Sequence, residues 1–297
     1  MTTAAKTTDF TDHHVELGTG RIRYREIGAG EPGAEVLVFV HGFAVDGQLW
    51  EPVARLLAAG TPGHRCIVPT WPLGSHLEPM RPDADRTPAG VARLVADFLV
   101  ALDLDGVTIV GNDSGGAVSQ GLVTTSPERI GRLVLTNCDC LEIFPPGVFK
   151  LISKALRLPG SGAVLANSMR LESIIRAPFG FGALNKKRQP IELLRSWVRP
   201  LIEDRDVRRD ALSFFAAADP SYTLGAAEKL PELKIPVLLA WGEEDSFFTV
   251  GHAERLRELI PDATLVRIPD AKTFVPLDQP EAVASAIADF IAAKPLD

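Results

Sequence analysis

The sequence predicts an α/β protein, with a mostly parallel sheet that is covered by helices on both faces and interrupted once by a helical insertion. From Val36 onward, short β-branched apolar runs alternate with helical runs, which is the pattern of repeated strand-helix-strand units. The apolar runs are nearly continuous, as expected for strands whose two faces are both buried.

The strands follow from these runs. Two early segments, His14–Leu17 and Arg21–Glu26, alternate apolar and polar residues and predict an antiparallel hairpin at the sheet edge. With the parallel strands they give a sheet of about eight strands. The parallel strands are predicted over Val36–Val40, Cys66–Pro69, Val107–Val110, Leu133–Leu135, Val237–Ala240 and Leu265–Ile268. Helices are predicted over Leu49–Ala59, Pro88–Leu102, Gly116–Thr125, His252–Leu259 and Glu281–Ala292.

The alternation stops between Cys140 and Tyr222, where helical patterns are interrupted by prolines and strand-like runs are missing. We therefore predict a core formed by residues 15–139 and 223–297, with residues 140–222 inserted as a helical lid. Such a lid would lie over the carboxyl ends of the strands, where open sheets bind ligands.

Composition favours a small-molecule partner. The chain has 297 residues, of which 46% are hydrophobic and 23% charged, so it can bury a large core. A net charge of -7 argues against nucleic acid as a partner, because such proteins need a basic surface. Nothing in the sequence calls for a cofactor or a metal, and either a monomer or a homodimer is compatible with it.

The N-terminal segment and the cysteines bear on localisation. Met1 to His14 is polar, lacks the apolar part of a secretory signal, and is predicted to be a flexible tail. No apolar run reaches the length that spans a bilayer, so we expect a cytoplasmic protein without membrane contact. Three cysteines, an odd number, favour reduced thiols over a disulfide framework.

The first motif with chemical content is the turn Gly111-Asn112-Asp113-Ser114-Gly115-Gly116. It joins a predicted strand to a predicted helix, and glycines lie two residues before and two residues after Asp113. This is the context of a nucleophile elbow, in which a strained turn lifts the central side chain above the sheet. The nucleophile position therefore carries an aspartate.

The second motif is the strand Val36–Val40 followed by His41-Gly42-Phe43. In elbow proteins the loop after this strand supplies one amide of the oxyanion hole. The backbone N–H groups of Phe43 and Ser114 are the predicted donors. His41 is more often a structural loop residue than a base, although it is also a candidate for contact with the substrate.

Together these motifs make the chain, over roughly Val15 to Ala292, resemble an α/β hydrolase, and the aspartate resembles the branch of haloalkane dehalogenases and epoxide hydrolases. The resemblance implies an α/β-hydrolase fold. It also implies that Asp113 attacks carbon to give an ester, which a histidine-activated water then hydrolyses.

Two further family positions can be located. The acid that orients the histidine matches Asp245 in the turn Gly242-Glu243-Glu244-Asp245, and Asp139 is a rival for that role. The histidine position falls on Thr273 in Pro269-Asp270-Ala271-Lys272-Thr273-Phe274. A threonine hydroxyl cannot take a proton from water near neutral pH. A deliberate replacement would explain Thr273 but not Lys272, which stands where the family has glycine.

Other parts of the branch are also changed. Ser114 stands where dehalogenases carry a halide-binding tryptophan, and the chain has only Tyr24 and Tyr222 to match the two lid tyrosines of epoxide hydrolases. His76 is a candidate pocket residue and a weaker candidate for a substitute base. Asp139, Phe144 and Trp197 are also predicted to contact substrate, although packing within the lid is the commoner role for such aromatic residues.

Two functional hypotheses remain open. One is a hydrolase-class enzyme that acts on a small, mainly apolar molecule, with Asp113 as nucleophile or as acid or base. The other is a non-hydrolytic descendant that binds a ligand in the same pocket or catalyses a lyase or isomerase step. The missing histidine separates them, and retention of the elbow, the oxyanion loop and the acid turn favours the enzyme.

Overall fold

The computed structural model describes residues 9–28, 34–156, 158, 160–178 and 180–296. One sheet of eight strands runs through the molecule in the spatial order β1-β2-β4-β3-β5-β6-β7-β8. The strands are β1 Thr11–Leu17, β2 Gly20–Ile27, β3 Val36–Val40, β4 Arg65–Pro69, β5 Val107–Asp113, β6 Ile130–Cys138, β7 Val237–Gly242 and β8 Ala263–Ile268. The β1–β2 and β2–β4 pairs are antiparallel, and the remaining pairs are parallel.

Helices connect these strands and cover the sheet. They are α1 Glu51–Ala59, α2 Pro88–Ala101, α3 Ser114–Thr125, α4 Gly147–Ala155, α5 Ser161–Ser168, α6 Glu172–Ile175, α7 Ile191–Glu203, α8 Arg205–Ala217, α9 Pro220–Ala227, α10 Val250–Leu259, α11 Val275–Asp278 and α12 Pro280–Ala293. Short 3-10 turns occur at Gly47–Leu49, Phe181–Ala183 and Leu230–Glu232.

Alternating side chains of the central strands bury into two separate cores. In β3, Leu37 and Phe39 pack in a core that includes residues of α1 and α12. Val38 and Val40 pack in the other core, which includes residues of α2, α3 and α10. Successive side chains of a strand point to opposite faces, so both faces are covered. The predicted mostly parallel sheet of eight strands with helices on both faces is confirmed.

The stretch between β6 and β7 contains α4 to α9, and no strand occurs among its described residues. Its last helix, α9, packs on α3, and the Thr223 hydroxyl donates to the Leu141 carbonyl over 2.6 Å. The proposed end of the lid at Tyr222 therefore falls within a helix that contacts the core. The division into core and lid remains a proposal.

Two predicted boundaries need correction. The flexible tail was predicted to reach His14, but β1 begins at Thr11 because the edge strand pairs with β2 along that length; residues 1–8 lie outside the described part. The helix predicted from Leu49 begins at Glu51, after a 3-10 turn that the Asp46 side chain caps by accepting from the Gln48 amide. No helix in the described ranges is long and apolar enough to cross a bilayer.

Candidate active site

Asp113 is the last residue of β5 and directly precedes α3. Its backbone has φ 54° and ψ -132°, a positive-φ conformation that is costly for a residue with a side chain. Gly115 permits this turn to pack closely, because a Cβ there would lie 2.5 Å from the His41 carbonyl oxygen. The strand-to-helix turn expected for a nucleophile elbow is thus present, with Asp113 at its centre.

The Asp113 carboxyl accepts a hydrogen bond from the Phe43 backbone N–H, which lies 3.2 Å from Oδ2. Burial raises the pKa of Asp113 to about 7, while the backbone amides of Ser114 and Phe43 lower it and the Asp245 carboxyl raises it. The side chain is half-buried, and its exposed part faces the cavity described below. Apolar walls stabilise an ionised carboxyl poorly. The site therefore holds a carboxylate whose charge depends on two amides.

Asp245 follows β7, and its charge acts on the Asp113 carboxyl. The backbone amides of Phe247 and Phe248 donate to its Oδ1 over 2.8 and 3.1 Å. The Thr273 hydroxyl and the Asn137 amide donate to its Oδ2 over 2.9 and 3.0 Å. Burial raises the pKa of Asp245, and these four donors oppose the rise.

Thr273 is completely buried. Its hydroxyl donates to Asp245, and its carbonyl accepts from the Asn112 side chain over 2.7 Å. The position predicted for a histidine is therefore filled by a group that gives its proton to the acid. It provides no basic lone pair comparable to that of an imidazole.

Asp139 follows β6 and is 1% exposed. Its backbone N–H donates to the Asp113 carbonyl over 3.3 Å, and its own carbonyl accepts from the Gln120 side chain over 2.9 Å. Burial raises the pKa of Asp139 well above its usual value, the Asp113 and Asp245 charges raise it further, and the Ser114 side chain lowers it. Three buried or half-buried carboxyls thus meet at the ends of β5, β6 and β7.

A cavity of about 430 Å³ opens above Asp113, within the range of about 300 to 1,000 Å³ typical of small-molecule sites. Its walls are mostly apolar. The described lining residues are Phe43, Ala44, Asp113, Ser114, Asp139, Pro145, Pro146, Phe149, Ile152, Leu165, Ser168, Met169, Ile174, Ile175, Gly180, Phe181, Leu184, Phe215, Phe247 and Phe248.

Of the residues predicted from the sequence, Phe43, Asp113, Ser114 and Asp139 line this cavity. Asp245 and Thr273 do not line it and are hydrogen-bonded to each other. Their catalytic roles, and the oxyanion hole formed by Phe43 and Ser114, remain predictions.

His41 does not line the cavity, which corrects its candidacy as a substrate contact. The Trp71 backbone N–H donates to its Nε2 over 2.8 Å, so Nδ1 carries the proton and donates to the Gly42 carbonyl over 2.9 Å. Burial lowers its pKa to about 4. The neutral ring is a fixed part of the loop that positions Phe43.

His76 also lies outside the cavity and instead lines a second cavity of about 310 Å³ beside the edge hairpin. Its Nε2 donates to Asp210 of α8 over 3.3 Å, and the Gly74 N–H donates to its Nδ1 over 3.3 Å. Both ring nitrogens are hydrogen-bonded there, so His76 is not placed to accept a proton from water at Asp113.

The two predicted aromatic contacts are packing residues. Trp197 is completely buried against Phe181 and Phe274, and its indole N–H donates to Asp46 over 2.9 Å. Phe144 packs edge-on against Phe214. Neither lines the cavity, and neither do Tyr24 and Tyr222. The cavity walls are formed instead by other aromatic residues, among them Phe149, Phe181, Phe215 and Phe247.

All six histidines lie within the described residues, and none of them lines this cavity. Within the same ranges no cluster of side chains could hold a metal ion, and the three cysteines are buried free thiols. The site therefore presents carboxyls, hydroxyls and backbone amides.

Sequence reasoning missed Asn112 and Asn137. The Asn137 amide donates to the Gly242 carbonyl over 3.0 Å as well as to Asp245, and its Oδ1 accepts from the Gly242 N–H over 2.6 Å. Asn112 joins β6 to the Thr273 segment. The sequence did offer a signal for both residues: each is a side-chain amide at the end of an apolar strand, next to a turn that carries a candidate acid. A polar group buried there must have a hydrogen-bond partner.

Comparison with known proteins agrees with this geometry. The profile of the alpha/beta hydrolase family matches residues 37–286. A cis-3-alkyl-4-alkyloxetan-2-one decarboxylase of Shewanella oneidensis is 27% identical over 95% of this chain and 88% of its own length. Haloalkane dehalogenase 2 of Mycobacterium bovis is also 27% identical, over 94% of each chain. The crystal structure of a haloalkane dehalogenase from Bradyrhizobium elkani superposes with a TM-score of 0.79 at 19% identity, over 96% of this chain and 98% of that one.

Proposed function

The chain belongs to the alpha/beta hydrolase family, and from this premise we propose that it is a hydrolase-class enzyme in which Asp113 attacks carbon of a small, mainly apolar molecule. The relatives named above act, by their names, on haloalkanes and on dialkyl β-lactones. In both classes of compound a carbon carries a leaving group and the rest of the molecule is hydrocarbon. The proposal extends this type of substrate to the present site.

The observation that carries the proposal is the placement of the Asp113 carboxyl. It lies at the floor of the apolar cavity, on the strained elbow, and within hydrogen-bond distance of the Phe43 amide. An apolar substrate above it would be held by burial of its hydrocarbon surface. No cation among the described residues acts on this carboxyl, so its oxygen would face the reacting carbon unpaired, which favours attack.

In the proposed step, a carboxylate oxygen of Asp113 forms a bond to carbon, and the bond between that carbon and its leaving group breaks. The product is an ester of Asp113. Release by water would need a base, and the Thr273 hydroxyl already donates to Asp245. We therefore expect release by water to be slow.

The test is intact-mass measurement after exposure to butyl bromide and to butylene oxide, two small electrophiles that differ in leaving group. We expect one adduct per chain with each reagent that enters the cavity, and we expect none in Asp113→Asn, whose amide keeps the shape but is a poor nucleophile. An equal adduct yield in Asp113→Asn would contradict the proposal. Rapid multiple turnover by the original chain would show that a base acts on the ester.

A second candidate function is a lyase reaction, and the buried Thr273 favours it because such a reaction needs no activated water. With a dialkyl β-lactone, Asp113 would attack the saturated ring carbon that is bonded to the ring oxygen. The bond between that carbon and the ring oxygen would break and leave a carboxylate. Loss of that carboxylate as CO₂ would supply the electron pair for a C=C bond and expel Asp113 as a carboxylate. Gas chromatography of a β-lactone incubation should then show an alkene, abolished by Asp113→Asn. Tight binding without turnover would favour a ligand-binding protein instead.

A further inference from the structure

We infer that the Asp139 carboxyl, in the wall of the cavity, is protonated and donates its proton to the leaving oxygen of the substrate when Asp113 attacks carbon. The inference rests on the proposed function of Asp113 as nucleophile. It also narrows the substrate class to molecules whose leaving atom is oxygen, such as strained cyclic ethers.

The first support is the unequal distribution of hydrogen-bond donors among the three carboxyls. Asp245 accepts from four donors, and Asp113 accepts from backbone amides. Among the described residues, Asp139 receives a hydrogen bond from the Ser114 side chain alone, and its Oδ1 has no partner there. Donors stabilise the ionised form of a carboxyl. When the three carboxyls share one proton, that proton is therefore most stable on Asp139.

The second support is the charge around Asp139. The ionisable groups that act on it are Asp113 on the elbow and Asp245 after β7, both acidic. The adjacent thiols of Cys138 and Cys140 are buried, and burial raises the pKa of each. No cation contributes to the environment of Asp139 among the described residues. A second negative charge beside Asp113 would be repelled at short range, so Asp139 remains a neutral acid while Asp113 is ionised.

The third support is position. Asp139 and Asp113 both line the cavity, and their main chains are joined by the hydrogen bond from the Asp139 N–H to the Asp113 carbonyl. The polar side chains on the described lining are Asp113, Ser114, Asp139 and Ser168. Asp139 is the one acid among them besides the nucleophile. An alkoxide is a strong base and leaves far more readily when it is protonated, whereas a halide leaves without a proton.

The step balances with a cyclic ether. The Asp113 carboxylate oxygen bonds to a ring carbon and the C–O bond of the ring breaks. The ring oxygen takes the bonding pair and receives the proton of Asp139. The products are a hydroxyalkyl ester on Asp113 and a carboxylate at Asp139. No oxidant, reductant or metal is consumed.

The test compares Asp139→Asn with the original chain, using the rates at which butylene oxide and butyl bromide form the Asp113 ester. Loss of a general acid typically costs about 10²–10⁴-fold, so the ratio of the butylene oxide rate to the butyl bromide rate should fall by that factor. In the original chain, ester formation from butylene oxide should also slow in D₂O, because a proton moves in the step, whereas the rate with butyl bromide should not. This second measurement needs no substitution.

Asp262→Asn is the matched control. It makes the same change of carboxyl to amide at an acid that pairs with Lys294 and does not line the cavity. It should leave both rates, and hence their ratio, unchanged.

An unchanged ratio in Asp139→Asn, or an equal D₂O effect for both reagents, would overturn the role of Asp139 and leave the nucleophile in place. Absence of any adduct in the original chain would overturn the proposed function and the role of Asp139 with it.

Discussion

At the scale of single residues, the chemistry of the site depends on how a small number of hydrogen-bond donors is divided among three carboxyls. Asp113 is stabilised by amides of its own elbow and of the Phe43 loop, Asp245 by two amides and two side chains, and Asp139 by one hydroxyl. Each carboxyl has a raised pKa, and burial is the largest cause in each. Because all three are buried, the difference in their hydrogen-bond partners is what places the shared proton on Asp139 in the inference above.

Thr273→His is expected to restore release by water. An imidazole at this position would lie beside Asp245, which would fix its tautomer as the acid does in other triads. General-base assistance contributes about 10²–10⁴-fold, so loss of a preformed butyl ester, followed by intact mass, should accelerate at least by the lower factor. The same change combined with Asp245→Asn should lose most of the gain. If Thr273→His folds normally and the ester is as stable as before, this position does not control hydrolysis.

Ester formation should depend on pH through Asp113. Its pKa of about 7 means that the nucleophilic carboxylate increases as pH rises through that value. The rate with butyl bromide should therefore rise about tenfold per unit below the pKa and become constant above it. Rates measured across this window provide the check. A rate that is independent of pH between about pH 5 and pH 8 would show that Asp113 keeps its usual acidity.

The position of an individual site residue could be predicted only where a local motif fixes it. The spacing of Gly111 and Gly115 around Asp113 identified the elbow. His76 had no such support. Its ring is engaged by Asp210, which lies 134 residues later in the chain, and no local pattern reports a contact of that separation.

At the scale of secondary-structure elements, the loop after β3 and the elbow after β5 must approach each other closely. A Cβ on Gly42 would lie 2.6 Å from the Cβ of Asp113 and 2.7 Å from its Cγ. The absence of a side chain at Gly42 thus allows the Phe43 amide to reach the carboxyl.

Gly42→Ala should therefore displace the Asp113 side chain and reduce ester formation. A shift of about 1 Å at a reacting group can cost on the order of 10²-fold, and rates of adduct formation from butyl bromide measure the loss. Gly225→Ala is the matched control, since a Cβ at Gly225, within α9, meets nothing within 4 Å. It should leave the rate unchanged and stabilise the helix by about 0.5–1 kcal/mol. Full activity of Gly42→Ala would contradict the proposed approach of the two loops.

The strands and helices of the sheet could be predicted because each is set by its own periodicity. Val36–Val40 was predicted with the observed bounds. Most of the other parallel strands differ by up to three residues at one end, and β6 extends three residues beyond the prediction at both ends. The helices between β6 and β7 were harder to place. Their apolar residues face one another, the cavity and the sheet, so the periodicity alone does not reveal which face each residue occupies.

At the scale of the whole molecule, the ionisation of Asp113 is linked to folding. A carboxyl whose pKa rises on folding binds its proton more tightly in the native state. It therefore lowers stability as pH rises from the unfolded pKa, near 3.8, to the folded value of about 7. Below that window the penalty is absent, and above it the penalty is constant.

Asp113→Asn removes this penalty. Its unfolding free energy should exceed that of the original chain at pH 8, by at most about 1.4 kcal/mol for each unit of pKa difference, and the excess should vanish near pH 4. Denaturant unfolding at several pH values measures it. An excess that does not change with pH would mean that the substitution acts through packing rather than through charge.

The central claim, that Asp113 is the nucleophile, is tested most directly by locating the adduct. After exposure to butyl bromide, digestion and tandem mass spectrometry should assign one butyl group to the peptide that contains Asp113, with the fragment ions placing it on that residue. The same peptide should be unmodified when the cavity is already filled by an unreactive hydrocarbon of similar size. A butyl group on Asp139 or Asp245, or turnover of the bromide with Asp113 never modified, would contradict the account.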